Sequence, residues 1–95
     1  MRTFLSIEEA YLYAAEVQLA TLQGVAMLKR TPKHEVKRHL SIATGMVTEI
    51  QRLIPHERLK ELLDLDGQHF GRCVAPRVRD IIAGKTPVEH YAARS

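Results

Sequence analysis

The feature that most constrains this chain is a pair of long helical repeats separated by only three residues. Residues 7–28 carry apolar residues at helical spacing, and residues 29–31 connect them to a second repeat. A connection this short forces neighbouring helices to lie antiparallel, so the sequence predicts a long αα-hairpin. The second repeat advances in alternating steps of four and three, which places its apolar residues on one stripe: Val36, Leu40, Ala43, Val47, Ile50 and Ile54.

The first helix carries two apolar stripes instead of one. A helix with two such stripes is covered on two sides. We expect the rest of the chain to cover one stripe and a second copy to cover the other, which would make the protein a homodimer; alternatively, the C-terminal third folds back over the second stripe. The first stripe consists of Ile7, Ala10, Tyr11, Ala14, Val17, Val25 and Leu28, and the second, the expected oligomer interface, of Leu12, Ala15, Leu19, Leu22 and Ala26.

Start and stop signals divide the remainder of the chain into short helices. Ser6 and Glu9 form a capping box that begins the first helix, and Thr86 with Glu89 repeats this pattern near the end. The other boundaries come from prolines and glycines: Thr31-Pro32 begins the second helix, Pro55 separates it from a third that ends at residues 66–67, and residues 76–83 form a fourth. Gly24 and Gly45 are interpreted as close-packing positions.

The predicted fold is therefore all-α: a long antiparallel hairpin plus two or three short C-terminal helices in one domain over residues 1–95. No segment alternates apolar and polar residues, so no sheet is expected. The core must be filled by aliphatic side chains, because the chain has two Phe, three Tyr and no Trp. Small aliphatic cores often gain stability by oligomerising, which favours a helical-bundle homodimer.

Positive charge is concentrated around the hairpin connection. Residues 29–60 hold eight cationic and three acidic residues, a net of +5, whereas the whole chain carries +3. Lysines at the start of a helix oppose the helix dipole, so helix stability does not explain them, and they favour an anion site or an acidic partner; the alternative is a solvated tip. The candidate anion- or partner-binding residues are Lys29, Arg30, Lys33, Lys37 and Arg38, extended by Arg77 and Arg79.

The residues that carry enzyme chemistry do not assemble into a recognisable motif. Glu35 and His39 have a metal-chelating spacing, but Arg38 stands where a zinc-protease motif needs its second histidine. Cys73 and His69 are the only nucleophile–base pair, and nothing places an orienting acid beside them. We therefore predict no enzyme activity, no metal and no cofactor, and an inert, half-buried Cys73.

The function predicted from these observations is that of a small, non-catalytic helical module that binds and regulates, inhibits or tethers another macromolecule. A protein partner is expected, in addition to the homodimer. The alternative is a nucleic-acid-binding protein that uses the basic tip and the C-terminal arginines. One unpaired cysteine and polar residues inside the most apolar segment predict a cytoplasmic protein that does not enter a membrane.

Overall fold

The chain folds into four α-helices and one 3₁₀ helix in the computed structural model, which describes residues 6–67 and 73–93. The two long helices, α1 (Ile7–Met27) and α2 (Lys33–Leu53), pack together. Two shorter helices follow, α3 (His56–Leu63) and α4 (Pro76–Ile82), and the 3₁₀ helix spans Val88–Ala92. The described residues contain no strand, and the all-α prediction is confirmed.

Several helix boundaries follow the sequence signals. The backbone N–H of Glu9 donates to the Ser6 hydroxyl at 3.2 Å, so the predicted N-cap of α1 is present. The helix α2 ends at Leu53, before Pro55 as predicted. Its N-cap is Pro32 rather than Thr31, one residue later than expected, and no side chain caps it. The 3₁₀ helix likewise has Pro87 as its N-cap without a side-chain cap, so the predicted capping box at Thr86 is wrong.

The core is built around the leucine stripe of α1, and this corrects the prediction of an oligomer interface there. Within the single chain, α1 contacts α2, α4 and the 3₁₀ helix. This is the alternative in which the C-terminal third folds back. All five predicted interface residues are at most 3% exposed in the monomer: Leu12, Ala15, Leu19, Leu22 and Ala26.

The first stripe of α1 is instead largely exposed. Ile7 is 73% exposed, Tyr11 50% and Leu28 61%. Side-chain size does not decide between the stripes, because the exposed stripe also holds large apolar residues, whereas the buried stripe holds three leucines. The two stripes were recognised from the sequence, but their roles were exchanged.

The two helical glycines are not close-packing positions, contrary to the prediction. Gly24 and Gly45 are both exposed, and a Cβ atom added at either would meet no atom within 4 Å. Each glycine therefore lowers the stability of its helix by the usual amount, on the order of 1 kcal/mol relative to alanine.

Candidate functional site

The start of α2 and the connection before it form a surface that we call the basic tip, defined by Lys29, Arg30, Lys33 and Lys37. Lys29 and Arg30 lie in the connection, Lys33 begins α2, and Lys37 follows one turn later; all four are exposed. Pro32 is extended (φ −63°, ψ 151°), and its carbonyl accepts hydrogen bonds from the third and fourth amides of the helix. The earlier amides have no side-chain cap, so the helix dipole adds positive potential here.

The charges of the basic tip are not neutralised within the part of the chain that the structure describes. In residues 6–67 and 73–93, none of the four cations forms an ion pair. Arg38, which was predicted to belong to this site, donates instead to Glu35 at 3.1 Å. That hydrogen bond, helped by the charge of Arg38, holds the pKa of Glu35 below its usual value. The basic tip therefore excludes Arg38.

A shallow groove runs beside the basic tip, between α2 and the 3₁₀ helix. Lys33 and Lys37 form its rim, and the aliphatic side chains of Val36, Leu40 and Ala92 form its floor. Val36 is buried, while Leu40 and Ala92 are half-buried at the edge of the core. We call this feature the basic-rimmed groove. Sequence reasoning missed it, because Ala92 lies more than fifty residues after Leu40 and no local pattern connects them.

The C-terminal arginines have other partners. Arg77 donates to the Glu16 carboxylate through its guanidinium at 2.8 Å and through its backbone N–H at 2.9 Å, and its side chain also donates twice to Gln23 at 3.0 and 3.1 Å. Arg79 pairs with the adjacent Asp80 at 3.3 Å. Arg77 thus joins α4 to α1 and is not a free anion-binding group.

The Glu16–Arg77 contact also escaped sequence reasoning, although a signal was present. Glu16 lies four residues after Leu12 and three before Leu19, so it belongs to the leucine stripe itself, and it is 7% exposed. A carboxylate on a buried stripe requires a cation or several N–H donors near it. The structure supplies both, since the Val78 N–H also donates to Glu16 at 3.1 Å.

The residues considered for metal binding or catalysis, Glu35, His39 and Cys73, form structural contacts. His39 on α2 contacts Gln18 on α1, with 3.1 Å between His39 Nδ1 and Gln18 Nε2. Glu35 accepts a hydrogen bond from Arg38 instead. Glu35 and His39 therefore have a metal-chelating spacing in sequence but bond to different partners. Cys73 is 7% exposed and its thiol donates to the Glu9 carbonyl at 3.8 Å, so it is more buried than predicted. His69, its possible base, lies outside the described residues.

A second exposed apolar surface lies between the two long helices. It is a groove lined by Tyr11 from α1 and by Met46, Ile50 and Leu53 from α2, with Glu49 at its edge. Tyr11 and Leu53 are each about half exposed, and Ile42 on α2 is 40% exposed. We call this surface the α1–α2 face.

Comparisons with known proteins do not identify a family for this chain, so a function has to be inferred from the geometry of its surfaces. The chain matches no protein-family model, no curated protein and no solved structure. In the described part of the chain, no group of three or more His, Cys, Asp and Glu residues is arranged to hold a metal ion. The described helices also include none that is long and apolar enough to cross a membrane. The surfaces that stand out are the basic tip with its groove and the α1–α2 face.

Proposed function

We propose that this protein is a small, non-catalytic helical module that binds another macromolecule and regulates, inhibits or tethers it, and that it does so in the cytoplasm. The observation that carries this proposal is the basic tip: four exposed cations without intrachain ion pairs in residues 6–67 and 73–93, two of them at the start of a long helix. Positive charge at this position opposes the helix dipole. A negatively charged partner surface would remove that penalty and would be attracted from a distance.

A protein partner is the first candidate, because the basic tip is continuous with an aliphatic groove. Protein interfaces combine an apolar centre with a polar or charged rim, and the basic-rimmed groove has this composition. The proposed site consists of Lys29, Arg30, Lys33 and Lys37 together with the floor of the groove.

The test is affinity capture from source-cell lysate, with and without nuclease, using the wild type and a Lys33→Glu/Lys37→Glu variant. The control, Lys60→Glu/Lys85→Glu, changes the net charge by the same amount at other positions. We expect one stoichiometric protein that survives nuclease, is lost with the tip variant and is retained with the control. Capture of that protein by the tip variant at the wild-type level would contradict the proposed site.

Nucleic-acid binding is the second candidate, and the density of unpaired cations at the tip favours it. Four phosphate contacts would make the logarithm of the binding constant fall with the logarithm of salt concentration with a slope of about −3 to −4. Salt titrations with a double-stranded DNA and a single-stranded RNA measure this slope directly. Binding that is unchanged in the Lys33→Glu/Lys37→Glu variant would exclude the tip as a nucleic-acid site.

We further propose that the long helices form an antiparallel hairpin and that two copies associate through the α1–α2 face. The five-residue connection, 28–32, supports the hairpin. Two helices of 21 residues are each about 31 Å long and about 10 Å wide, so a shared face buries about 600 Å² per copy. That total of about 1,200 Å² is at the lower end of specific interfaces, which is consistent with a reversible dimer.

Light scattering over a range of protein concentrations tests the dimer. We expect Tyr11→Glu/Leu53→Glu to lower the average mass towards that of the monomer, because each substitution places a charge in the interface. Lys85→Glu is the control, because it changes the net charge by the same amount at a residue that does not line the face. A monomeric wild type at every concentration, or a dimer that tolerates Tyr11→Glu/Leu53→Glu, would refute the interface.

A further inference from the structure

The basic-rimmed groove has a composition that restricts what can fill it. Its floor is aliphatic (Val36, Leu40 and Ala92), and its rim carries Lys33 and Lys37. The lysines are four residues apart on one helix, so they lie on the same side, with their backbones separated by about 6 Å. A ligand that covers the floor therefore passes both ammonium groups.

No carboxylate of the described chain neutralises this rim. Glu35, the nearest acid on α2, is held by Arg38 at 3.1 Å. Glu89 belongs to the 3₁₀ helix on the other side, but it is exposed and does not line the groove. The groove thus combines an apolar floor with positive charge that has no counterpart in residues 6–67 and 73–93.

From this charge complementarity we propose that the groove binds an acidic amphipathic segment of a partner protein. One large aliphatic or aromatic side chain of the segment covers Val36, Leu40 and Ala92, and carboxylates on either side of it pair with Lys33 and Lys37. This inference rests on the proposed interaction function and adds the chemistry of the partner. Burial of the apolar side chain supplies affinity, and the ion pairs fix its register.

A nucleic acid fits the groove less well than such a segment. Single-stranded nucleic acids combine phosphate contacts with stacking of bases on aromatic side chains. The lining residues include no aromatic side chain, so a nucleic acid would contact the rim and leave the floor uncovered. The floor is therefore the part of the site that separates the two ligand classes.

The experiment measures fluorescence anisotropy of labelled probes titrated with the 95-residue chain. The first probe is a short peptide in which single leucines alternate with pairs of Asp or Glu, and the second replaces every leucine by serine at the same charge. The third is an oligouridylate of the same net charge. The protein variants are Lys33→Glu/Lys37→Glu and Ala92→Glu, with Lys60→Glu/Lys85→Glu as the charge control, each checked for helical content by circular dichroism.

We expect the leucine peptide to bind more tightly than the serine peptide and the oligouridylate. Exposed ion pairs each contribute a two- to fivefold effect, so reversing both lysines should weaken binding by about tenfold or more. Ala92→Glu should weaken both peptides through charge repulsion, and the leucine peptide more, because the substitution also makes the floor polar. The control variant should bind with nearly wild-type affinity.

Two results would overturn the inference. Equal affinity for the leucine and serine peptides would show that the floor takes no part, and tighter binding of the oligouridylate would assign the rim to nucleic acid. If the leucine peptide fails to bind while Lys33→Glu/Lys37→Glu still abolishes capture of a protein from lysate, the partner chemistry is wrong but the interaction function stands. Failure of both experiments would remove the function as well.

Discussion

The contact between Glu16 and the start of α4 makes the C-terminal part of the fold depend on one carboxylate in α1. Ala75, the N-cap residue of α4, provides no side-chain cap, and Pro76 has no N–H to satisfy. The next two backbone N–H groups, of Arg77 and Val78, both donate to Glu16. The Glu16 carboxylate therefore takes the place of the missing side-chain cap of α4, a helix that begins sixty residues later in the chain.

Replacement of Glu16 by alanine should destabilise the protein by about 3 kcal/mol. Hydrogen bonds to a charged group contribute about 1.5–3 kcal/mol each, but three that share one carboxylate are not additive. Breaking a fully buried ion pair costs about 3–5 kcal/mol. The lower end applies here, because the Arg77 side chain remains 33% exposed and keeps both hydrogen bonds to Gln23. Glu16→Gln, which retains one carbonyl acceptor, should lose about half as much.

Urea denaturation followed by circular dichroism at 222 nm measures these losses. For a domain of this size, about 3 kcal/mol corresponds to a fall in Tm of roughly 12–24 °C. Glu61→Ala is the matched control, because Glu61 also pairs with an arginine but its side chain is 68% exposed, and exposed pairs contribute about 0–1 kcal/mol. A double-mutant cycle with Arg77→Ala should give a coupling free energy above about 1 kcal/mol. Equal stability of Glu16→Ala and Glu61→Ala would refute the capping role.

Other predictions concern glycine, tyrosine and cysteine. Gly24→Ala and Gly45→Ala should each raise the free energy of unfolding by about 1 kcal/mol in urea titrations, since a methyl group fits at both sites, whereas Gly84→Ala (φ +78°) should lower it. Burial, assisted by nearby carboxylates, raises the pKa of Tyr91, so the protonated phenol is favoured in the folded chain. The neutral phenol contributes its full share of folding stability below the unfolded pKa of about 10, and this share is lost as pH rises through the raised pKa of the folded state. Tyr91→Phe should therefore lose less stability than the wild type above about pH 10. Cys73, which is buried, should react with a thiol reagent only as fast as the fold opens; immediate reaction of the native protein would contradict this burial.

Local signals were sufficient to predict most of the helices. Ser6 marks the start of α1, the proline at residue 55 marks the end of α2, and the four–three spacing of α2 identifies its buried side. These signals act within a few residues, and the physical effect that causes each one is local as well. The errors at Thr31 and Thr86 are also local, because in both cases the following proline takes the cap position.

The assignment of the α1 stripes needed information that spacing does not contain. Both stripes have helical periodicity, so periodicity alone could not decide which one faces the interior. Large apolar side chains occur on both stripes, and the carboxylate of Glu16 on the interior stripe becomes favourable only beside Arg77, 61 residues later. The four cations of the basic tip were evident from the sequence because they are close along the chain. The groove beside them was not, because Ala92 reaches it only through the tertiary fold.

The use of residues 76–92 to cover the leucine stripe has a consequence for protein synthesis. Before residues 76–92 leave the ribosome, the leucine stripe of α1 is not covered by α4 or the 3₁₀ helix, so part of it is exposed to water. Because Glu16 also lacks Arg77 at that stage, the nascent chain carries a charge beside an uncovered apolar surface. The core is thus completed only when α4 and the 3₁₀ helix have left the exit tunnel, and a chain released before that point would be a substrate for chaperones and proteases.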